Sequence, residues 1–181
     1  MINRRDAAPY DEGVARRRTS ATTRQARWLT GEEEQTWRAV AMAMHKLGWA
    51  LECQLEQDCD LSFMEYHALA RLSEEPTLTL RMSELAVLSN SSLSRLSHLV
   101  TRLEKWGFVR REPDPTDGRY TNAVLTPAGH DKLRRSAPAH VEAVRQLVID
   151  DFSPAELAKL RALCERIVAR VDASAWKQPL T

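Results

Sequence analysis

Few cysteines, few aromatics and no long apolar run mark this chain. Its 181 residues hold three cysteines, Cys53, Cys59 and Cys164. An odd number without a secretory leader argues against a disulfide framework. No Cys/His cluster carries zinc-ligand spacing. The apolar runs fall far short of a bilayer span, so no membrane association is expected. The opening "MINRRDAAPYDEG" has no apolar stretch after its basic residues and does not read as a secretory signal. A cytoplasmic protein is therefore expected. There is no Gly-rich phosphate loop, nucleophile elbow or metal-ligand set, so no catalytic residue, cofactor or metal is assigned and an enzyme is not expected. An excess of charge is also missing, because the formal net charge is +1. That neither demands nor excludes a nucleic-acid partner, which needs only a local basic surface.

The charge that is there is uneven. Residues 1–28 carry Arg4, Arg5, Arg16, Arg17, Arg18, Arg24 and Arg27 against Asp6, Asp11 and Glu12. With no apolar periodicity they read as a flexible basic arm. Thr30 then caps a first helix whose opening turn is acidic, Glu32 to Glu34, as the helix dipole favours. Trp37, Val40, Ala41, Met44, Leu47, Leu51 and Leu55 follow at helical spacing to about Gln57. Ser62 with Glu65 is a capping box for a second helix that Pro76 ends. "TLTL" reads as a short strand and "MSELAVLS" as a short third helix. Ser92 caps a fourth helix, Leu93 to Trp106, which Gly107 terminates. "FVRREP" and "YTNAVLT" are two strands joined by the turn "DPTDGR". Two longer helices close the chain. Pro138 is expected to kink the first, while Ser153, Pro154 and Glu156 form the start of the second.

The fourth helix is polar in an unusual way. At about 100° per residue, Leu96, Leu99, Val100 and Leu103 form one stripe. Ser94, His98, Thr101, Arg102 and Lys105 lie roughly opposite, with Arg95 and Ser97 on the flanks. A merely solvated face favours Glu/Lys pairs and strong helix formers. Short hydroxyls with Arg and His instead suit a face that enters a groove, where they offer donors to base edges and phosphates. The short third helix, the turn "SNSS" and this helix make a helix-turn-helix, and the hairpin after it reads as a wing. Arg119 at the wing tip is placed for a minor groove. Asp117 is expected to hold an arginine, Arg119 itself being one candidate, in one rotamer. The DNA-binding set is thus Ser92, Ser94, Arg95, Ser97, His98, Arg102, Asp117 and Arg119, with double-stranded DNA as partner.

The element order over about residues 30–173 resembles the MarR family of bacterial winged-helix regulators. Asp117, Arg119, Leu125 and Thr126 match the family's D-x-R-x5-L-T wing signature, and "SRLSHLVTRLEKWGFVRR" and "MSELA" resemble its recognition and preceding helices. The resemblance implies a fold that is mainly α with a small β wing. A winged helix-turn-helix (residues 61–127) would be flanked by a first dimerisation helix (residues 30–60) and C-terminal dimerisation helices (residues 128–175). It implies a cytoplasmic, nucleoid-associated homodimer on a pseudo-palindromic site, acting as a repressor released by a small phenolic or other aromatic effector, or by thiol oxidation. His98 stands where the family commonly has Arg, and Thr101 where it commonly has Asp, so the usual helix–wing ion pair is not expected in its usual form.

Met44, His45, Trp49, Met64, His67 and Arg71 lie on the first two helices at the level where the family often has an effector pocket. Their bland reading is core packing. His45 and His67 lack a carboxylate or Cys partner for a metal. Cys53 is the candidate redox sensor, but acidic Glu52 and Glu56 flank it and disfavour a reactive thiolate; Cys59 is left open. Cys164, among Leu160, Leu163 and Ile167, is expected in the core. The alternative to a DNA-binding regulator is a winged-helix protein-interaction module with no specific DNA site.

Overall fold

The computed structural model describes residues 26–174. The arm expected over residues 1–28 lies outside these up to residue 25. The chain divides into two units, Met1–Ala39 and Val40–Thr181.

In the first unit, α1 (Gly31–Cys59) begins. Thr30 caps it reciprocally: its N–H donates to Glu33 Oε2 at 2.8 Å, and its Oγ1 accepts from Glu33 N at 3.3 Å. Arg38 reaches back one turn to Glu34 at 2.6 Å.

The second unit holds the rest of α1, then α2 (Phe63–Glu74), β1 (Thr79–Arg81), α3 (Met82–Leu88) and α4 (Leu93–Lys105). β2 (Val109–Pro113), β3 (Thr121–Leu125), α5 (Pro127–Val144) and α6 (Pro154–Asp172) complete it. The three strands form one antiparallel sheet in the order β1-β3-β2, with Ala123 opposite both Leu80 and Arg111. The fold is mainly α with a small β wing. Leu55, Leu61, Leu69, Leu72, Leu85, Leu96, Val100, Leu103 and Ala123 are fully buried in one core. That core collects the α4 stripe, the inner faces of α2 and α3, and the sheet. It therefore presses α4 inward and leaves its polar face outside.

Local chemistry sets the element ends. Asn90 takes a left-handed conformation (φ 46°), closing α3 in the turn, and the Ser92 side chain accepts from Arg95 N to open α4. Gly107 (φ 74°) ends α4. Its N–H donates to Glu104 O and Phe108 N donates to Leu103 O, both at 2.9 Å, which is a Schellman closure. Thr126 Oγ1 caps α5 by accepting from Gly129 N at 3.1 Å, and donates back to Gly107 O at 2.6 Å.

Three expectations change. The strand expected over "TLTL" is shifted to Thr79–Arg81, because Leu78 is left-handed (φ 54°) and turns the chain before pairing begins. The helix expected to run from Pro127 to Phe152 continues through Pro138 but leaves α geometry at Val144. A π-helical turn, Arg145–Ile149, follows. Cys164 is exposed rather than in the core. No residue of α6 is buried in the single chain, so its apolar stripe of Leu160, Leu163 and Ile167 is open too.

Candidate nucleic-acid interface

The outward face of α4 carries Ser94, Arg95 and His98, all exposed. Among the described residues none of these three side chains has a hydrogen bond or ion pair. They are donors and acceptors without a partner, on a helix whose other face is anchored by Leu96, Val100 and Leu103. Ser92 differs, because its hydroxyl is already the helix cap.

The wing tip is organised around two carboxylates. Asp117 accepts from Arg119 Nε at 2.9 Å and Nη2 at 2.6 Å, and from the Arg119 backbone N–H at 3.1 Å. The arginine beside it draws the Asp117 carboxyl below its usual range. The Arg119 side chain is nevertheless 85% exposed, so it is a fixed cation pointing into solvent. One turn earlier, buried Asp114 accepts from Thr116 N at 2.8 Å, Thr116 Oγ1 at 2.6 Å, Asp117 N at 3.2 Å and Arg81 Nε at 2.8 Å. Those donors, Thr116 first and then Arg81, hold its carboxyl far below the ordinary carboxylate range.

A second set of bonds ties wing to helix. Arg111 on β2 pairs with Glu104 on α4, and its backbone N–H donates to Glu104 Oε1 at 3.0 Å. Its guanidinium also donates to Ser97 O at 2.7 Å and to Thr101 Oγ1 at 3.2 Å. A helix–wing ion pair is thus present despite the threonine at position 101. Glu104, the only acid on α4, supplies the charge one turn further along. Between α3, α4 and the wing lies an open cleft of about 290 Å³ lined by Met82, Ser83, Ser97, Arg111, Arg119 and Tyr120 among others.

Arg102 is placed differently from the other cations of the face. Its guanidinium is bonded to Glu65 on α2, with Nε at 2.8 Å from Oε1. Sequence reasoning did not find Arg81, Asp114, Arg111 or Glu65 as members of this site. Their partners lie up to 37 residues away, and only the isolated acid in α4 and the capping-box acid in α2 stood out as signals.

None of the six residues named for an effector pocket lines the cleft between α3, α4 and the wing. Met44, His45 and Trp49 are exposed on α1, and Met64, His67 and Arg71 are half-buried on α2. Arg71 is paired with Glu74 at 2.9 Å. The His67 ring packs at 4.3 Å from Phe63, and the His140 ring at 4.5 Å from Tyr66. Burial pushes both histidines below the ordinary imidazole value. Cys53 is half-buried, and buried Cys59 directs its Sγ at Ser136 O, 3.8 Å away. Among the described residues no group of three or more His, Cys, Asp and Glu is placed to hold a metal ion, and no helix is long and apolar enough to cross a membrane.

Helix, turn, helix and an antiparallel wing, with a basic tip and a polar helix face on which Ser94, Arg95 and His98 are unpartnered, define a winged helix-turn-helix protein. The MarR family model matches residues 60–119. The chain is 43% identical to Sco3205, a MarR family transcriptional regulator from Streptomyces coelicolor whose crystal structure is a complex with DNA. That match covers 84% of this chain and 98% of Sco3205, with a TM-score of 0.78. AbsC, a MarR family transcriptional regulator from the same organism, is 38% identical over 82% of this chain and 100% of its own, again with a TM-score of 0.78. The HTH-type transcriptional regulator PecS of Dickeya dadantii (strain 3937) is 38% identical over 74 residues, a match to 41% of this chain and 44% of PecS. The chain belongs to the MarR family of transcriptional regulators.

Proposed function

We propose that this chain is a sequence-specific DNA-binding repressor that acts as a homodimer and is released by a small aromatic effector. One observation carries the DNA-binding reading: the unpartnered Ser94, Arg95 and His98 of α4 stand on the same unit as Arg119, a cation fixed by Asp117 yet open to solvent. The helix would read the major groove and Arg119 the adjacent minor groove. The DNA complex of Sco3205 supports this reading. The dimer is supported by α6, where Leu163, Ile167, Val168 and Val171 are each more than half exposed on one chain. Such a stripe calls for an apolar partner, and a second copy provides one. Two recognition helices would then read grooves about one helical turn apart, on a pseudo-palindrome. The release step is assigned to the α1–α2 region around Trp49, Met64 and His67.

Fluorescence anisotropy tests the reading directly. The purified protein is titrated onto duplexes from its own upstream intergenic region and onto scrambled duplexes, at two salt concentrations. Preference for one intergenic duplex that survives the higher salt is the expected result. Equal binding to both, abolished by salt, would leave only phosphate attraction and count against a site-reading regulator.

A further inference from the structure

Arg102 lies on the polar side of α4, where a phosphate contact is the natural expectation, yet its guanidinium is already engaged. We propose that Glu65, acting through Arg102, is the positioning device of the recognition helix, and that Arg102 is not a phosphate contact. The proposal rests on the DNA-binding reading above for its consequence, but not for its geometry.

Glu65 is 1% exposed. A carboxylate that deep requires full pairing, and the pairing found is complete and directional. Its Oε2 accepts from Ser62 N at 2.8 Å, and Glu65 N donates to Ser62 Oγ at 3.2 Å, so the capping box of α2 fixes the carboxylate. Its other oxygen, Oε1, accepts from both Nε and Nη2 of Arg102. The same turn of α2 is held from α1, where Glu52 Oε2 accepts from Phe63 N at 2.8 Å. A continuous set of bonds thus runs from α1 through the start of α2 to α4.

What this adds to the apolar core is direction. Leu96, Val100 and Leu103 hold α4 against the core, but apolar burial is non-directional and tolerates small rotations about the helix axis. A two-donor arginine bond to an immobile acid does not tolerate them. The rotation of α4 decides where Ser94, Arg95 and His98 point. Arg102 turns its Nε and Nη2 donors inward to Glu65 while its side chain stays 58% exposed, so on this proposal its charge is matched by the buried acid rather than by a DNA phosphate.

The test uses the full chain with Arg102→Ala, Arg102→Lys, Glu65→Gln and the Glu65→Gln/Arg102→Ala double variant. Operator and scrambled duplexes are titrated over a series of salt concentrations. A positioning role predicts that each single change lowers the operator-to-scrambled ratio roughly tenfold, and that the double variant loses no more than the worse single one. The slope of log K against log salt stays as in the parent. Arg102→Lys fails with the rest, because an ammonium keeps the charge but not the fork. A phosphate contact predicts the opposite: Arg102→Ala lowers the slope by about one, Arg102→Lys binds almost as the parent does, and Glu65→Gln leaves affinity unchanged. That result would overturn the proposal.

A readout without DNA separates this proposal from the functional reading. Amide hydrogen exchange in Leu93–Lys105 of the free protein is expected to quicken in Arg102→Lys and Glu65→Gln, with α5 unchanged. Unchanged exchange in α4 would overturn the proposal even if the parent reads an operator. Quickened exchange in the variants, with a parent that prefers no duplex, would sink the DNA reading alone. Should Glu65→Gln not fold, Arg102→Lys decides the matter by itself, since it alters a side chain on the outer face.

Discussion

Arg81 Nε donates to Asp114 at 2.8 Å while the same guanidinium lies 4.7 Å above the Tyr120 ring. One arginine at the start of α3 thereby grips both arms of the wing, since Asp114 leaves β2 and Tyr120 enters β3. Asp114 completes the clasp by accepting from Thr116 and Asp117, which sets the turn that carries Arg119. The wing tip is aimed by an acid that is itself only 8% exposed.

Asp114→Ala should therefore weaken operator binding roughly tenfold by releasing the wing turn, with a smaller loss for Asp114→Asn, which keeps one acceptor. Hydroxyl-radical footprinting reads the cause. The expected pattern is loss of minor-groove protection at the flanks with the major-groove core retained. Uniform loss across the site would show instead that the domain as a whole had loosened.

Arg119→Ala should lower affinity by about tenfold or more for every operator variant and reduce the salt slope by about one. Thermal stability should not move, because the side chain is mostly in solvent. His98→Ala or Arg95→Ala should instead change which base pairs are preferred, at about 1–3 kcal/mol per lost base contact. A base-independent loss in either would assign that residue to the phosphates.

Much of this was legible in the sequence because it was local. The caps at Ser62, Ser92 and Ser153 depend on residues three positions apart, and the Gly107 stop on residues within five of one another. The stripe and counter-stripe of α4 depend only on helical period. Less local facts were out of reach. A wheel places Arg102 outside, but it takes the folded chain to bring Glu65 beside it. Likewise an apolar run in α6 reads the same whether its cover is this chain's core or another copy, so the pattern around Cys164 suggests an interior position while the residue stands exposed in the single chain. Leu78 shifts β1 by adopting a backbone conformation that leucine rarely takes, and no local signal announces it.

If α6 carries the proposed dimer contact, Leu163→Asp or Ile167→Asp should break dimer and DNA binding together, because each places a charge in the α6 stripe. Light scattering gives the mass. A mutant that stays dimeric would put the interface elsewhere. The monomer fold should survive, since both positions are more than half exposed in the single chain.

Gly129 tests the packing of the signature strand against α5. A methyl group there would sit 2.1 Å from the Phe108 carbonyl oxygen and 2.8 Å from the Leu125 side chain. The first is backbone of the residue leading into β2 and cannot swing away. Gly129→Ala should cost about 1–3 kcal/mol or more despite the better helix propensity of alanine. Chemical denaturation measures it, and a neutral or stabilising result would mean that α5 can slide on the sheet.

His140 and His67 give the pH dependence. His140 Nδ1 is 3.1 Å from Gln54 Oε1 and its ring lies on Tyr66, while His67 packs on Phe63. Burial first, and then the neighbouring charge of Arg71 for His67 and of His67 for His140, lower both values in the folded chain. The unfolded chain therefore binds protons that the folded one refuses. Stability rises with pH across this window, is fully present above about 6.5, and is lost as pH falls through the depressed folded values. The melting temperature should fall between about pH 7.5 and pH 5, and His140→Gln should flatten that fall while keeping a polar group for Gln54. If the pH profile of His140→Gln overlays the parent, and His67→Gln does the same, the acid sensitivity lies in other groups and the two rings are only packing.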